Sequence, residues 1–257
     1  MVEPASLNPA MQIYDALGTD YRRHRRPDPR LQAAIDAALA GARTVVNVGA
    51  GAGSYEPVDR RVVAVEPSER MARQRPAGSA PVALAVAEAL PFADGVFDAA
   101  MAVLTLHHWR DWCAGVGELR RVARRTAILT WDPAHAGFWL VADYFPDLLA
   151  HDRRIFPPIT ALQDALGGGT ARVVPVPHDC TDGFLGAYWR RPERYLDAGA
   201  RGAISSFARV QQVRERLERL ATDLADGTWQ RRHGALGARD ELDLGYRLVV
   251  ADAADCP

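Results

Sequence analysis

Short apolar segments alternate with amphipathic segments along the first half of the chain, and this alternation restricts the fold more than any other feature. Strands are predicted for TVVNV, RVVAVE, PVALAV, VFDAAMAVL and RTAILTW, at residues 44–48, 61–66, 81–86, 96–104 and 125–131. Between these strands, apolar residues recur at helical spacing. Apolar strands separated by helices are typical of an α/β fold with a parallel sheet that is covered on both faces.

The predicted helices have recognisable ends. Asp28 can cap a helix over 28–41, Pro29 suits its first turn, and Gly41 can end it. Further helices are predicted around 54–60, over 68–74 and over 112–123.

The alternation of strands and helices changes after residue 131. Two more strands are predicted at 171–177 and 246–252, and a long helix at 207–227. The segments 133–170 and 178–245 contain many aromatic residues, prolines and turns, so we expect them to form cap insertions in a single domain over 1–257.

Composition excludes several kinds of protein. The net charge of -1 gives no support for a nucleic-acid or acidic membrane partner held by bulk charge. The chain has no lysine, which excludes Schiff-base lysine chemistry and a Walker-type phosphate loop. The three cysteines lie far apart, and no Cys/His spacing indicates a metal site. With no signal peptide and no apolar run long enough to span a bilayer, we expect a cytoplasmic protein.

Three glycines follow the first predicted strand, in the stretch VVNVGAGAGSYEP (45–57). Such a turn brings backbone N–H groups to the carboxyl edge of a parallel sheet, where ligands bind. Glu66 ends the second strand, in the position where a carboxylate accepts the hydroxyl groups of an adenosine ribose. A dinucleotide site requires G-x-G-x-x-G, but Ser54 occupies the third glycine position, so an NAD-dependent oxidoreductase is the weaker alternative.

The observed G-x-G-x-G spacing resembles motif I of class I S-adenosylmethionine (SAM)-dependent methyltransferases. VVAVEPSERM resembles their acidic-loop motif, and AVAEALPFADGVFDAAMAVLTLHHW resembles a block of the small-molecule, type 11-like branch. The resemblance covers about residues 10–135. It implies a Rossmann-like, seven-stranded, mostly parallel sheet with an antiparallel last strand, SAM as cofactor, and a small-molecule acceptor. A SAM-binding protein without methyl transfer stays open as an alternative.

The resemblance also implies roles for individual residues. Those expected to contact SAM are Asn47, Gly49, Ala50 and Gly51 near the methionine part, Glu66 at the ribose, Pro67, Ser68, Ala87 and Glu88 around the adenine, and Leu104 near the sulfonium. An N-terminal clasp is expected to reach the SAM carboxylate through Tyr21 and Arg26, with Arg25 nearly as good a match. The sequence departs from the family at two positions: Asn47 replaces an acid, and Val86 stands where an aspartate is common.

The acceptor side is predicted from position and chemistry. His107 follows the fourth strand and is the candidate general base or acceptor-binding group, whereas His108 is expected to be structural. Trp131 and Asp132 end the fifth strand, and they are expected to line the acceptor pocket. Tyr188 and Trp189 belong to an aromatic segment, 179–196, that is expected to form a lid over the same pocket.

Overall fold

The computed structural model describes residues 21–210 and 212–253. Its strands are β1 Thr44–Val48, β2 Arg61–Val65, β3 Val82–Ala83, β4 Phe97–Val103, β5 Ala123–Trp131, β6 Thr170–Val173, β7 Val176–Pro177, β8 Glu241–Leu242 and β9 Tyr246–Asp252. Seven strands form one sheet in the order β3-β2-β1-β4-β5-β9-β6, while β7 and β8 pair separately. Within this seven-stranded sheet, β9 runs in the direction opposite to that of the other six strands. The predicted fold class is therefore confirmed.

Helices connect and cover these strands. The α-helices are α1 Tyr21–His24, α2 Pro29–Ala38, α3 Glu69–Arg73, α4 Trp112–Val122, α5 Pro146–Ile155, α6 Ile159–Ala165, α7 Ala198–Gly202, α8 Val213–Ala225 and α9 Thr228–His233. Single turns of other helix types lie at Leu106–His108, Leu140–Tyr144, Pro192–Leu196, Ser205–Arg209 and Gly234–Ala238. Asp28 caps α2 as predicted, since its side chain accepts a hydrogen bond from the Arg30 backbone N–H.

The sheet separates two apolar cores because successive strand side chains point to opposite faces. Val46 packs with residues of α4 and α6 on one face. Val45 packs on the other face with α2 and with a large aromatic cluster from the second half of the chain. The described part of the chain contains no helix that is both long and apolar enough to cross a membrane.

Several predicted boundaries were wrong. Residues 54–60 form turns and bends instead of a helix. The predicted strand 171–177 is divided between β6 and β7, because Pro175 has no N–H to donate to a strand ladder. The predicted helix 207–227 begins only at Val213, after Gln212 takes a left-handed conformation with φ 55°.

Candidate functional site

The glycine turn after β1 has a backbone that only glycine adopts easily. Gly49, Gly51 and Gly53 have φ angles of 71°, 52° and 91°. The N–H groups of Gly49 and Ala50 both donate to the Val65 carbonyl oxygen, which fastens the turn to the end of β2. A Cβ atom on Gly49 would lie 2.0 Å from Oγ1 of Thr105, so no side chain fits at that position.

The turn borders a cavity, which we call the glycine-loop cavity. It lies at the carboxyl ends of β1, β2 and β4. Its wall is formed by Arg25, Asn47, Gly49–Ala52, Ser54, Tyr55, Glu66–Ser68, Met71, Val86–Glu88, Val103–Thr105 and His108–Arg110. Ten of the residues predicted to contact a cofactor, Asn47 among them, therefore line one cavity.

Glu66 is the buried carboxylate of this cavity, with 6% of its surface exposed. One carboxylate oxygen accepts from the Gly51 N–H (2.8 Å), and the other accepts from the Ser68 N–H (2.9 Å). Burial raises the pKa of Glu66 above its ordinary value, against the opposing effects of these N–H groups and of Arg75. Each carboxylate oxygen has a second lone pair with which it can accept a ligand hydroxyl.

Glu88, unlike Glu66, contacts the backbone of the loop that follows β4. Its carboxylate accepts hydrogen bonds from the backbone N–H groups of Arg110 and Asp111. The side chain thus fastens the loop after β4, and Val86 contributes an apolar surface to the cavity.

A second cavity lies beside the first, and we call it the aromatic cavity. Its walls are mainly apolar and include Trp131, Phe138, Val141, Leu149, Phe156, Phe184, Leu185, Ile204, Leu244 and Tyr246. The His107 ring stacks on Phe156 with centroids 4.3 Å apart, and Trp131 meets the same phenyl ring edge-on. Asp152, only 7% exposed, and His135 are among its few polar residues.

Three residues line both cavities: Arg25, Leu104 and His108. They mark the junction at which molecules held in the two cavities would meet. Leu104 has a left-handed backbone with φ 51°, which is uncommon for a residue other than glycine, and such strained conformations cluster at functional sites.

The N-terminal segment is tied to the segment around residue 182 at this junction. The Arg25 guanidinium pairs with Asp182 at 2.7 Å, and Tyr55 donates its hydroxyl hydrogen to the same carboxylate at 2.9 Å. Asp28 accepts from the Thr181 N–H, and Arg30 pairs with Asp179. Arg25 therefore has a fixed position between the cavities.

Some predicted site residues lie elsewhere. Arg26 is exposed and lines neither cavity, whereas its neighbour Arg25 lines both. The side chain of Tyr21 lies outside the described residues. Asp132 lines neither cavity, and its carboxylate accepts from the Ala134 N–H within its own turn.

Tyr188 and Trp189 were also wrongly assigned to the pocket wall. Trp189 is fully buried, and its indole N–H donates to the carbonyl oxygens of Val176 and Pro177. Tyr188 is 4% exposed and packs beside Tyr195. Both side chains belong to the core that supports the aromatic cavity. Phe156 and Asp152 were missed because no local pattern shows that α5 faces the end of β4.

Comparisons with known proteins agree with this geometry. A family profile described as "Methyltransferase domain" matches residues 46–130. A search of curated proteins gives no match.

Solved structures extend the similarity. A protein of Anabaena variabilis ATCC 29413, described as a methyltransferase candidate from an antibiotic biosynthesis pathway, is 34% identical with a TM-score of 0.83, over 89% of this chain and 98% of that chain. A SAM-dependent methyltransferase of Thermotoga maritima is 23% identical with a TM-score of 0.52, over 65% of this chain and 85% of that one. A type II methyltransferase candidate of Anaeromyxobacter dehalogenans is 22% identical with a TM-score of 0.50, over 89% and 98%. The last two share the fold.

Proposed function

This chain belongs to the class I SAM-dependent methyltransferases, and we propose that it methylates a small, largely apolar organic molecule held in the aromatic cavity. The observation that carries the proposal is the junction of the two cavities at Arg25, Leu104 and His108. A cofactor in the glycine-loop cavity and an acceptor in the aromatic cavity would meet at this junction. Holding the two reactants in contact is the main requirement for an in-line methyl transfer.

The glycine-loop cavity has the chemistry to hold SAM. Glu66 offers a carboxylate to the ribose hydroxyls, and Val86, Ala87 and Met71 offer apolar surface to the adenine ring. No side chain covers the backbone at Gly49 and Gly51 in the cavity wall, so a ligand can lie directly against it. Arg25 would pair with the methionine carboxylate in place of the predicted Arg26.

Bound SAM supplies an electrophilic methyl group on its sulfonium. The protein's part is to orient the acceptor, exclude water and receive a proton where the acceptor loses one. His107 lies in the aromatic cavity and remains the proposed proton acceptor. His108 lies at the junction itself, and we propose that it orients the acceptor atom.

The aromatic cavity indicates the kind of acceptor. Its stacked and edge-on rings favour a flat or bulky apolar molecule, and its few polar groups can bind one or two substituents. The assignment of the Anabaena relative to antibiotic biosynthesis is compatible with such a molecule.

We also propose that residues 133–158 and 178–245 form the cap that excludes water. Both segments contribute to the wall of the aromatic cavity. The first cap segment is shorter than the predicted 133–170 and ends at residue 158, because Leu162 and Leu166 pack with α4 against the opposite face of the sheet.

The proposal is tested by incubating the purified protein with methyl-labelled SAM and a panel of aromatic and polycyclic hydroxyl and amino compounds. We expect SAM and S-adenosylhomocysteine to bind with micromolar affinity or better, NAD not to bind, and label to be transferred to a subset of apolar compounds. Absence of binding by both SAM species would contradict the cofactor assignment. Transfer confined to highly charged acceptors would contradict the assignment of the aromatic cavity.

A further inference from the structure

A buried ion pair lies behind the wall of the glycine-loop cavity. Arg75 Nη2 is 2.9 and 2.8 Å from the two carboxylate oxygens of Glu56. The two side chains are 4% and 11% exposed, and Arg75 also donates to the Ala80 carbonyl oxygen. Neither residue lines the cavity, yet a Cβ atom on Gly53 would lie 3.2 Å from Arg75 Nη1. The pair therefore packs directly against the glycine turn.

Asn47 connects this pair to the cavity. It lies in β1, is 2% exposed and lines the cavity wall. Its side-chain nitrogen Nδ2 is 3.1 Å from Oε1 of Glu56. An ionised carboxylate can only accept hydrogen bonds, so Glu56 must face the amino group of the amide. The carbonyl oxygen Oδ1 of Asn47 is then the part of the amide that can accept a hydrogen bond from a ligand.

The order of the strands identifies the ligand group at this point. In the sheet, β1 lies between β2, which carries Glu66 at its end, and β4, which leads to Leu104 at the junction. On the proposed function, the ribose lies at Glu66 and the sulfonium lies at the junction. The methionine part of SAM therefore lies above β1, and its hydrogen-bond donor is the ammonium group.

We propose that Glu56, held by Arg75, positions Asn47 so that Oδ1 accepts a hydrogen bond from this ammonium group. This inference rests on the proposed function. Arg75 neutralises the charge of Glu56. The ammonium group therefore meets the oriented dipole of the Asn47 amide and not a buried carboxylate. A fixed dipole in a buried site favours the cation because little reorganisation accompanies binding. Glu56 and Arg75 are thus positioning residues that favour ligands carrying the amino-acid part over ligands without it.

The test compares two probes, S-adenosylhomocysteine and 5′-methylthioadenosine, which lacks the amino-acid part. In Glu56→Gln, the side-chain amide can donate to Asn47 as well as accept from it, so Oδ1 is no longer kept free. We expect the dissociation constant of S-adenosylhomocysteine to rise about tenfold, the size of one hydrogen bond to a charged group. That of 5′-methylthioadenosine should stay within about twofold by the same reasoning.

The ratio of the two dissociation constants separates positioning from stability, because partial unfolding weakens both probes equally. Asn47→Leu should reduce the preference for S-adenosylhomocysteine to the part that Arg25 contributes at the carboxylate, and adding Glu56→Gln to it should change the ratio no further. The positioning role would be overturned if the ratio of the two dissociation constants were unchanged in Glu56→Gln. It would also be overturned if Glu56→Gln changed that ratio as much in the Asn47→Leu variant as in the wild type. Failure of the wild-type protein to bind either probe would instead contradict the proposed function.

Discussion

At the scale of single residues, Glu66 is a buried carboxylate that accepts hydrogen bonds from two backbone N–H groups, and we propose that it binds the cofactor. We predict that Glu66→Ala weakens SAM binding tenfold to several hundredfold, since each hydrogen bond to a charged group contributes roughly 1.5–3 kcal/mol. Glu69→Ala is the control, because Glu69 forms an exposed ion pair with Arg73 on α3 and should leave affinity unchanged. Calorimetry with SAM provides the measurement.

The pH dependence gives a second readout of the same carboxylate. Burial raises the pKa of Glu66 above 4.5, so its protonation begins at a higher pH than for an exposed glutamate. On the proposed function, the ribose hydroxyls donate to the ionised carboxylate, so SAM affinity should fall as the pH decreases towards this range. The difference between wild type and Glu66→Ala should shrink in parallel. A constant difference down to pH values near 4.5 would show that Glu66 does not bind the cofactor through its charge.

At the scale of elements, Asp28 caps α2 and also ties the N-terminal segment to Thr181. Burial opposes its ionisation, but hydrogen bonds from the Arg30 side chain and from the Thr181 and Arg30 N–H groups lower the pKa from 3.8 to about 2. A carboxyl with a lowered pKa stabilises the fold above its unfolded value, and it loses that contribution as the pH falls through its folded value. The shift corresponds to about 2 kcal/mol at neutral pH.

We predict that Asp28→Asn lowers the free energy of unfolding at pH 7 by about 1–2 kcal/mol, since asparagine keeps the cap but loses the charge. The loss should diminish between pH 4 and pH 2. Asp179→Asn removes only the exposed partner of Arg30 and should cost about 0.5 kcal/mol or less. Urea denaturation over this pH range measures both. An equal cost for the two variants would mean that the charge of Asp28 contributes no more to stability than an exposed ion pair does.

Some elements of this fold could be predicted from the sequence, and some site residues could not. The strands, the α2 cap and the ends of the sheet follow from local signals such as apolar runs, Asp28 and the glycine turn. The sequence could not distinguish Arg26 from Arg25, because two adjacent arginines carry the same local signal, and only the pairing with Asp182 places Arg25 at the junction. Glu56 and Arg75 gave no signal at all, since their role depends on two loops that meet behind β1.

At the scale of the whole molecule, the aromatic side chains of the second half perform two separate tasks. Trp189 is fully buried, and its backbone carbonyl oxygen accepts the indole N–H of Trp139 at 2.8 Å. Phe156 stacks on His107 at the wall of the aromatic cavity. Aromatic composition alone predicted a lid with Trp189 in it, because a sequence pattern does not distinguish a ring that supports a cavity from a ring that lines it.

We predict that truncating these two rings has opposite consequences. Trp189→Ala should lower the free energy of unfolding by about 3–5 kcal/mol, as expected for a large side chain deleted from a core, and should reduce activity only through loss of folded protein. Phe156→Ala should leave thermal stability and S-adenosylhomocysteine affinity nearly unchanged. It should lower kcat/KM for an apolar acceptor about tenfold, since it removes a stacking surface and the support of His107. Thermal denaturation, calorimetry and methyl-transfer kinetics on the two variants provide the comparison. Equal destabilisation by both substitutions, or unchanged kinetics in Phe156→Ala, would show that the aromatic cavity does not hold the acceptor through this wall.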